Sequence, residues 1–252
     1  MARTDEALRK AEQERRGLIG QGARFDLPLP ARPSGAAQVN GLAMTSRALV
    51  EYHKLKYNLL RLNSHRRLRV LLFCSPTEGE GTSTSLVYFA ITLASDGNRV
   101  LVVDANLRRP SLDVAFGVER EHGLTDLLLQ RSPLNQVLKV TGFRSMSVIT
   151  SGMFYRNPDV VLESDSFEAH REEMVKRADW VLFDCSAINS SNDAVVLAPQ
   201  VDGVVMVLEA QRTRWEVAEN ARQRIKSANG NILGVVLNKR KYYIPAWLYK
   251  RL

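Results

Sequence analysis

Hydrophobic positions along the chain fall into two alternating patterns. Short unbroken apolar runs occur at 70–74 (VLLFC), 100–103 (VLVV), 180–183 (WVLF), 204–208 (VVMVL) and 232–237 (ILGVVL). Runs of that length, rich in Val, Leu and Phe and bounded by polar or Gly residues, predict strands, with those at 70–74, 180–183 and 204–208 buried. A shorter strand is expected from Ser147 to Thr150. Between the runs, apolar residues recur every three or four positions. This predicts helices over Leu86 to Ala94, Gly123 to Leu129, Phe167 to Arg177 and Trp215 to Ala228. Upstream, Leu49, Tyr52, Leu55, Leu59 and Leu62 carry the same spacing through a helix from Met44 to Leu62. Strands alternating with helices predict an α/β fold, a parallel sheet flanked by helices, with functional residues at the C-terminal ends of the strands.

The pattern also divides the chain. Thr4 to Arg16 reads as a charged helix with a narrow stripe of Ala7, Leu8 and Ala11. Gly17 to Gly41 carries Gly, Pro and Ala with few large apolar residues, the composition of a linker. Residues 1–41 are therefore read as a charged helix and disordered linker, 42–238 as the folded domain, and 239–252 as a basic and aromatic tail.

Composition narrows this picture. Of 252 residues, 45% are apolar, enough for one large core. No apolar run is long enough to span a membrane, and the charged N-terminus lacks a signal-peptide core, so the chain is expected in the cytoplasm. The net charge of +8 suits an anionic surface or an acidic partner. No nucleic-acid-binding signature accompanies it, and no nucleic acid is expected. Two cysteines, Cys74 and Cys185, sit in or just past predicted strands and are expected to be reduced.

The chemistry centres on Val70 to Ser85 (VLLFCSPTEGEGTSTS). A buried strand, a Gly-rich turn and a helix start form the layout of a P-loop, whose backbone N–H groups cradle phosphates. The pattern G-x-x-x-x-G-K-[ST] is matched at Gly81 and Ser83, but Pro76 replaces the first Gly and Thr82 the Lys. Two other strands end in carboxylates, Asp104 and Asp184. Three strand ends bearing polar groups are more specific than any one motif.

These segments resemble the bacterial tyrosine kinases of capsule and exopolysaccharide synthesis, within the MinD/ParA-like P-loop ATPases. The family's S-x-x-P-G-E-G-K-S-T loop is similar to Ser75 to Thr84, and its V-D-x-[DN]-x-R-R-P segment to Val103 to Pro110. G-L-[ST]-D-x-L appears at Gly123 to Leu128, and N-P-x-x-L-L-x-S at Asn157 to Ser164. The strand ending I-I-D-T-P-P corresponds to Leu182 to Ala187, and G-V-V-L-N to Gly234 to Asn238. The resemblance implies ATP or ADP with Mg²⁺. Ser83, Asp104 and Asp184 would serve the metal, the two Asp also acting in catalysis. Gly79, Glu80, Gly81, Thr82, Ser83 and Thr84 would hold phosphates, with Asn106 nearby. Asn238, with Arg240, would meet the adenine.

Departures from the family pattern shape the functional expectation. No lysine lies between Lys56 and Lys139, so no sequence neighbour replaces the missing one, and Glu78 and Glu80 are expected to repel phosphates. Asn106 stands where many relatives have a second Asp, and Ser186-Ala187 where they have two Pro. The oligomerisation motif E-x-x-R-x-x-R aligns with Val50, His53 and Lys56. The expected function is that of a degenerate kinase, with poor or lost catalysis. It would regulate exopolysaccharide synthesis by binding a membrane chain-length co-polymerase, peripheral at the inner face of the plasma membrane. The alternative is an active autokinase with an atypical loop, an arginine such as Arg108 or Arg109 replacing the lysine. A MinD-like positioning ATPase fits less well, since such proteins rely on that lysine.

The resemblance implies a homo-oligomer, or a hetero-oligomer with an intact kinase. The leader at Asp5 to Ala11 is similar to that of stand-alone kinases in this group. In the tail, Tyr242, Tyr243 and Tyr249 are candidate phosphoacceptors. Trp, Tyr and Leu interleaved with Lys and Arg also suit a docking groove, packing on the domain, or a membrane interface.

Overall fold

The computed structural model describes residues 45–62 and 68–240, apart from 154, 156 and 165. The predicted helix over Thr4 to Arg16, the linker, and the tail with Tyr242, Tyr243 and Tyr249 lie outside the described residues.

In chain order the elements are α1 (Ser46–Leu62), β1 (Val70–Cys74), α2 (Thr82–Ser95), β2 (Val100–Asp104), α3 (Leu112–Phe116), α4 (Leu124–Leu128), α5 (Leu134–Val137), β3 (Lys139–Val140) and β4 (Met146–Ile149). They continue as α6 (Pro158–Leu162), α7 (Ser166–Arg177), β5 (Trp180–Asp184), α8 (Asp193–Leu197), β6 (Gly203–Glu209), α9 (Trp215–Ser227) and β7 (Ile232–Asn238). The periodic runs were legible to within a few residues. The short helices α3, α5, α6 and α8 and the two-residue β3 were not, because four or five residues carry too little periodicity.

The sheet has seven strands in the order β3-β4-β2-β5-β1-β6-β7. All pairs are parallel except β3–β4, so the predicted parallel sheet carries one antiparallel edge. β1 lies between β5 and β6, in the interior of the sheet.

Strand alternation sends side chains to two cores. Val70, Leu72 and Cys74 join Val103, Phe183 and Phe167 on one face. Leu71 and Phe73 join Phe89, Leu93, Val102 and Trp180 on the other. This explains why β1 is apolar throughout, and β2 and β5 up to their terminal Asp: both faces are covered. The second core is held by aromatic pairs. Phe89 lies 5.8 Å from Phe73 and 6.3 Å from Trp180, centroid to centroid. Phe89→Ala removes a fully buried ring and is expected to cost about 3–5 kcal/mol, read as a lower denaturation midpoint.

α1 docks on α2 through Tyr52 and Tyr88, whose rings lie 5.7 Å apart, and through buried Leu59. Two of the residues aligned with the oligomerisation motif act within the chain. Lys56 is buried and its Nζ lies 2.5 Å from Asp96 Oδ2, while His53 Nδ1 lies 3.6 Å from the same oxygen. Val50 remains exposed. Among the described residues no helix is long and apolar enough to cross a membrane.

Candidate functional site

The C-terminal ends of β2, β5 and β1 lie side by side. Asp104 is the register partner of Asp184, and Asp184 that of Phe73. β1 then runs into the Gly-rich loop, 75–81, and α2 starts at Thr82. Gly79 and Gly81 have φ of 81° and 89°, which glycine alone adopts without strain. A Cβ on Gly81 would also lie 2.2 Å from Asn238 Nδ2. Thr82, Ser83 and Thr84 form the first turn of α2, where free backbone donors and the helix dipole favour an anion. Thr82 is 9% exposed.

The loop is held from outside on both flanks. Ile188 N–H donates to Ser75 O (2.9 Å) and Asn189 N–H to Pro76 O (3.1 Å). On the other side Asn238 Nδ2 donates to Glu80 O (2.8 Å) and Lys239 Nζ to Gly79 O (2.6 Å). Asn238, expected on the adenine side, here holds the loop backbone from the end of β7. Arg240 is exposed beyond that strand.

Both loop carboxylates are already engaged within the fold. Glu80 is 1% exposed. It accepts from Thr77 Oγ1 at 2.9 Å and from the Thr213 hydroxyl. Glu78 pairs with Arg109, and Arg108 Nε lies 3.4 Å from Asp193 Oδ2. Sequence reading also missed Lys239. The separation of 160 positions from Gly79 hides it, although its place one residue past Asn238 was visible.

The two acidic residues differ in their surroundings. Asp104 accepts backbone N–H bonds from Ser111 and Leu112, both 3.0 Å, and from Asn106 at 3.2 Å. Asn106 also accepts from Arg109 N–H through its side chain, so it shapes the loop after β2. Burial still pushes the Asp104 carboxyl up to about 6 against those bonds. Asp184 is fully buried and neither oxygen has a hydrogen-bond partner. Burial and the neighbouring Asp104 raise its pKa well above the usual carboxylate range. The Ser83 hydroxyl is close enough to oppose that shift, but it satisfies neither oxygen.

A buried, unsatisfied carboxylate beside a second carboxylate and a hydroxyl suits a hard divalent cation with oxygen ligands. The folded-state pKa values of both Asp are raised, so between about pH 4 and 6 the folded protein holds more protons than the unfolded chain. Stability from this pair is present at low pH and falls as pH rises through the folded-state values, while capacity for a cation grows. Mg²⁺-dependent ligand affinity is expected to rise about tenfold between pH 5 and 7, as Asp104 with a pKa of about 6 ionises. Calorimetry across that range checks it.

Cys74 and Cys185 are free and buried. Burial pushes the Cys74 thiol up to about 12 and raises Cys185 as well. Neither is a reactive thiolate at neutral pH.

Several motif residues serve packing. At Gly123 a Cβ would lie 2.1 Å from Gly152 N, so the segment's Gly marks a close backbone crossing. Asp126 accepts from Gly123 N–H at 2.9 Å. Ser164 Oγ donates to Leu128 O at 3.4 Å, and Val161 and Leu162 are fully buried. Ser186 Oγ donates to Asp193 Oδ2 at 2.7 Å, a contact the two Pro of the family pattern do not make.

A mostly parallel sheet with a Gly-rich loop after the interior strand β1, and carboxylates at the ends of the adjacent β5 and of β2 beyond it, defines the class as the MinD/ParA-like P-loop NTPase fold. A family profile described as "ParA: NUBPL iron-transfer P-loop NTPase" matches residues 68–247. The chain is 30% identical over 207 residues to the tyrosine-protein kinase YwqD of Bacillus subtilis (strain 168), covering 81% of this chain and 87% of that one. It is 29% identical over 187 residues to the tyrosine-protein kinase CpsD of Streptococcus agalactiae, covering 73% and 82%. Among solved structures, the kinase domain of the Escherichia coli tyrosine kinase ETK superposes with a TM-score of 0.74 at 26% identity, over 79% of each chain. The chain belongs to the bacterial tyrosine kinase family.

Proposed function

We propose that this chain is a catalytically weak member of the family that binds nucleotide and regulates capsule or exopolysaccharide synthesis. The observation that carries the reading is Thr82, a buried residue opening α2 at the position where the P-loop pattern calls for lysine. Phosphoryl transfer depends almost wholly on positioning and charge neutralisation, so loss of that cation falls on the reaction itself. Backbone N–H groups of Gly79, Glu80, Gly81, Thr82, Ser83 and Thr84 cradle the phosphates, with Asn106 at the edge of the site. Asn238 and Arg240 lie on the adenine side. Ser83, Asp104 and Asp184 hold Mg²⁺, which neutralises phosphate charge when bound. Asp104 and Asp184 also orient the acceptor hydroxyl where turnover occurs.

The regulatory half of the reading rests on family membership. The chain works in the cytoplasm, at the inner face of the plasma membrane, through a membrane co-polymerase subunit. It does so as a homo-oligomer or beside an intact kinase. A second reading, an active autokinase using Tyr242, Tyr243 or Tyr249, is favoured by the buried Asp104–Asp184 pair. Both acids are costly to keep in a fold that does not use them. Phosphotyrosine formation by purified protein with Mg-ATP decides between the two. A rate equal to that of a lysine-bearing relative sinks the first reading.

A further inference from the structure

The loop lacks a lysine of its own, yet one reaches it in space. Lys239 Nζ donates to Gly79 O at 2.6 Å and contacts Glu209 Oε2 at 3.0 Å. Its Cε lies 3.9 Å from the position of a Cβ on Gly81, so the side chain lies along the loop. The backbone at Lys239 has φ of 53°, an uncommon conformation for a residue other than Gly, and its N–H donates to Asn238 Oδ1 at 2.8 Å. This turn directs the side chain back from the end of β7. Arg212 Nη1 shares Glu209 Oε2 at 2.9 Å and lies 3.9 Å from a Cβ position on Gly79. Two cations thus share one carboxylate beside the loop.

The consequence for the loop follows from peptide planarity. A trans peptide holds its C=O and the following N–H on opposite sides. With Gly79 O drawn toward Lys239 and Glu80 O toward Asn238, the N–H groups of Glu80 and Gly81 point away from β7. Adjacent amides oriented alike form an anion-binding nest. The clamp from β7 therefore orients donors and brings charge, the two services a P-loop lysine and a pre-formed loop otherwise provide.

We propose that Lys239 is the positioning residue that serves the phosphate-binding loop in place of the lysine absent at Thr82, acting on the phosphate chain of the ligand and not on its base. This rests on the reading of the loop as a nucleotide site. The test uses Mg-pyrophosphate, which has no base, beside Mg-ATP. Binding is measured by calorimetry for wild type, Lys239→Met, Lys239→Arg, Thr82→Lys and the Thr82→Lys/Lys239→Met double variant, with melting curves for each.

Lys239→Met is expected to weaken both ligands by about 10–100-fold, the worth of a charged hydrogen bond. Lys239→Arg recovers part of that loss, and Thr82→Lys in the Lys239→Met background restores pyrophosphate binding. A merely structural role would not be rescued by a lysine at a different position. Wild-type binding of pyrophosphate left unchanged by Lys239→Met overturns the proposal, as does a loss confined to ATP. If wild type is silent and Thr82→Lys binds, Lys239 does not replace the missing lysine and the proposal fails while the nucleotide site stands. If neither binds either ligand, the nucleotide reading fails with it.

Discussion

Thr82→Lys is expected to raise tyrosine autophosphorylation by a factor on the order of 10²–10³, the usual worth of one well-placed electrostatic donor in a transition state. The substitution places a cation at the first residue of α2, next to Ser83 and directly after Gly81. The gain comes with a cost in the unliganded protein. A positive charge at a helix N-terminus opposes the macrodipole by about 0.3–1 kcal/mol, so the variant melts slightly lower without ligand. With Mg-ATP the order reverses, because a ligand that binds only the folded state stabilises it in proportion to affinity. Calorimetry with Mg-ATP and Mg-ADP, melting curves with and without nucleotide, and a phosphotyrosine assay read the three effects separately. Equal phosphorylation rates in wild type and Thr82→Lys would show that the loop needs no lysine at that position, and would favour the autokinase reading.

Asp184→Asn should act in two opposite directions. Asp184 is fully buried, neither oxygen has a partner, and Asp104 is its neighbour across the β2–β5 register. An unsatisfied buried polar group costs about 1–3 kcal/mol, more when charged. Asparagine keeps the shape, removes the repulsion, and can donate from its amide toward Asp104. Stability without ligand is therefore expected to rise by about 1–3 kcal/mol, or about 2–4 °C in melting temperature per kcal/mol for a domain of this size. The increase is largest at neutral pH, where the wild-type carboxylates carry the most charge, and shrinks toward pH 4. Mg²⁺-dependent strengthening of nucleotide binding is lost in the same variant. A lower melting temperature for Asp184→Asn would mean that the carboxylate is satisfied within the protein, and would remove the argument for a cation there.

Legibility varied with the range of the interaction. β1, β2 and β5 were readable because two covered faces demand unbroken apolar runs, and α9 because thirteen residues carry several turns of periodicity. α3 and α8, with five residues each, were not. Asp104 and Asp184 could be named as site candidates because each ends an apolar run. Their difference could not: three backbone N–H bonds go to Asp104 and none to Asp184. Glu80 shows the limit most plainly. In sequence it is a carboxylate in a phosphate loop. In space it is turned onto Thr77 and Thr213, the latter 133 residues away.

The order of apolar runs and helical periods, the Gly-rich turn, the carboxylates at strand ends and the substitution at Thr82 are properties of the sequence alone. They follow from local rules: backbone sterics, side-chain period and burial on both sheet faces. The strand order β3-β4-β2-β5-β1-β6-β7, the pairing of Lys56 with Asp96, the inward turn of Glu80 and the reach of Lys239 to Gly79 were decided only by the tertiary structure. Each joins groups distant in the chain, and a hydrogen bond or ion pair depends on separations of a few ångströms that no local pattern encodes.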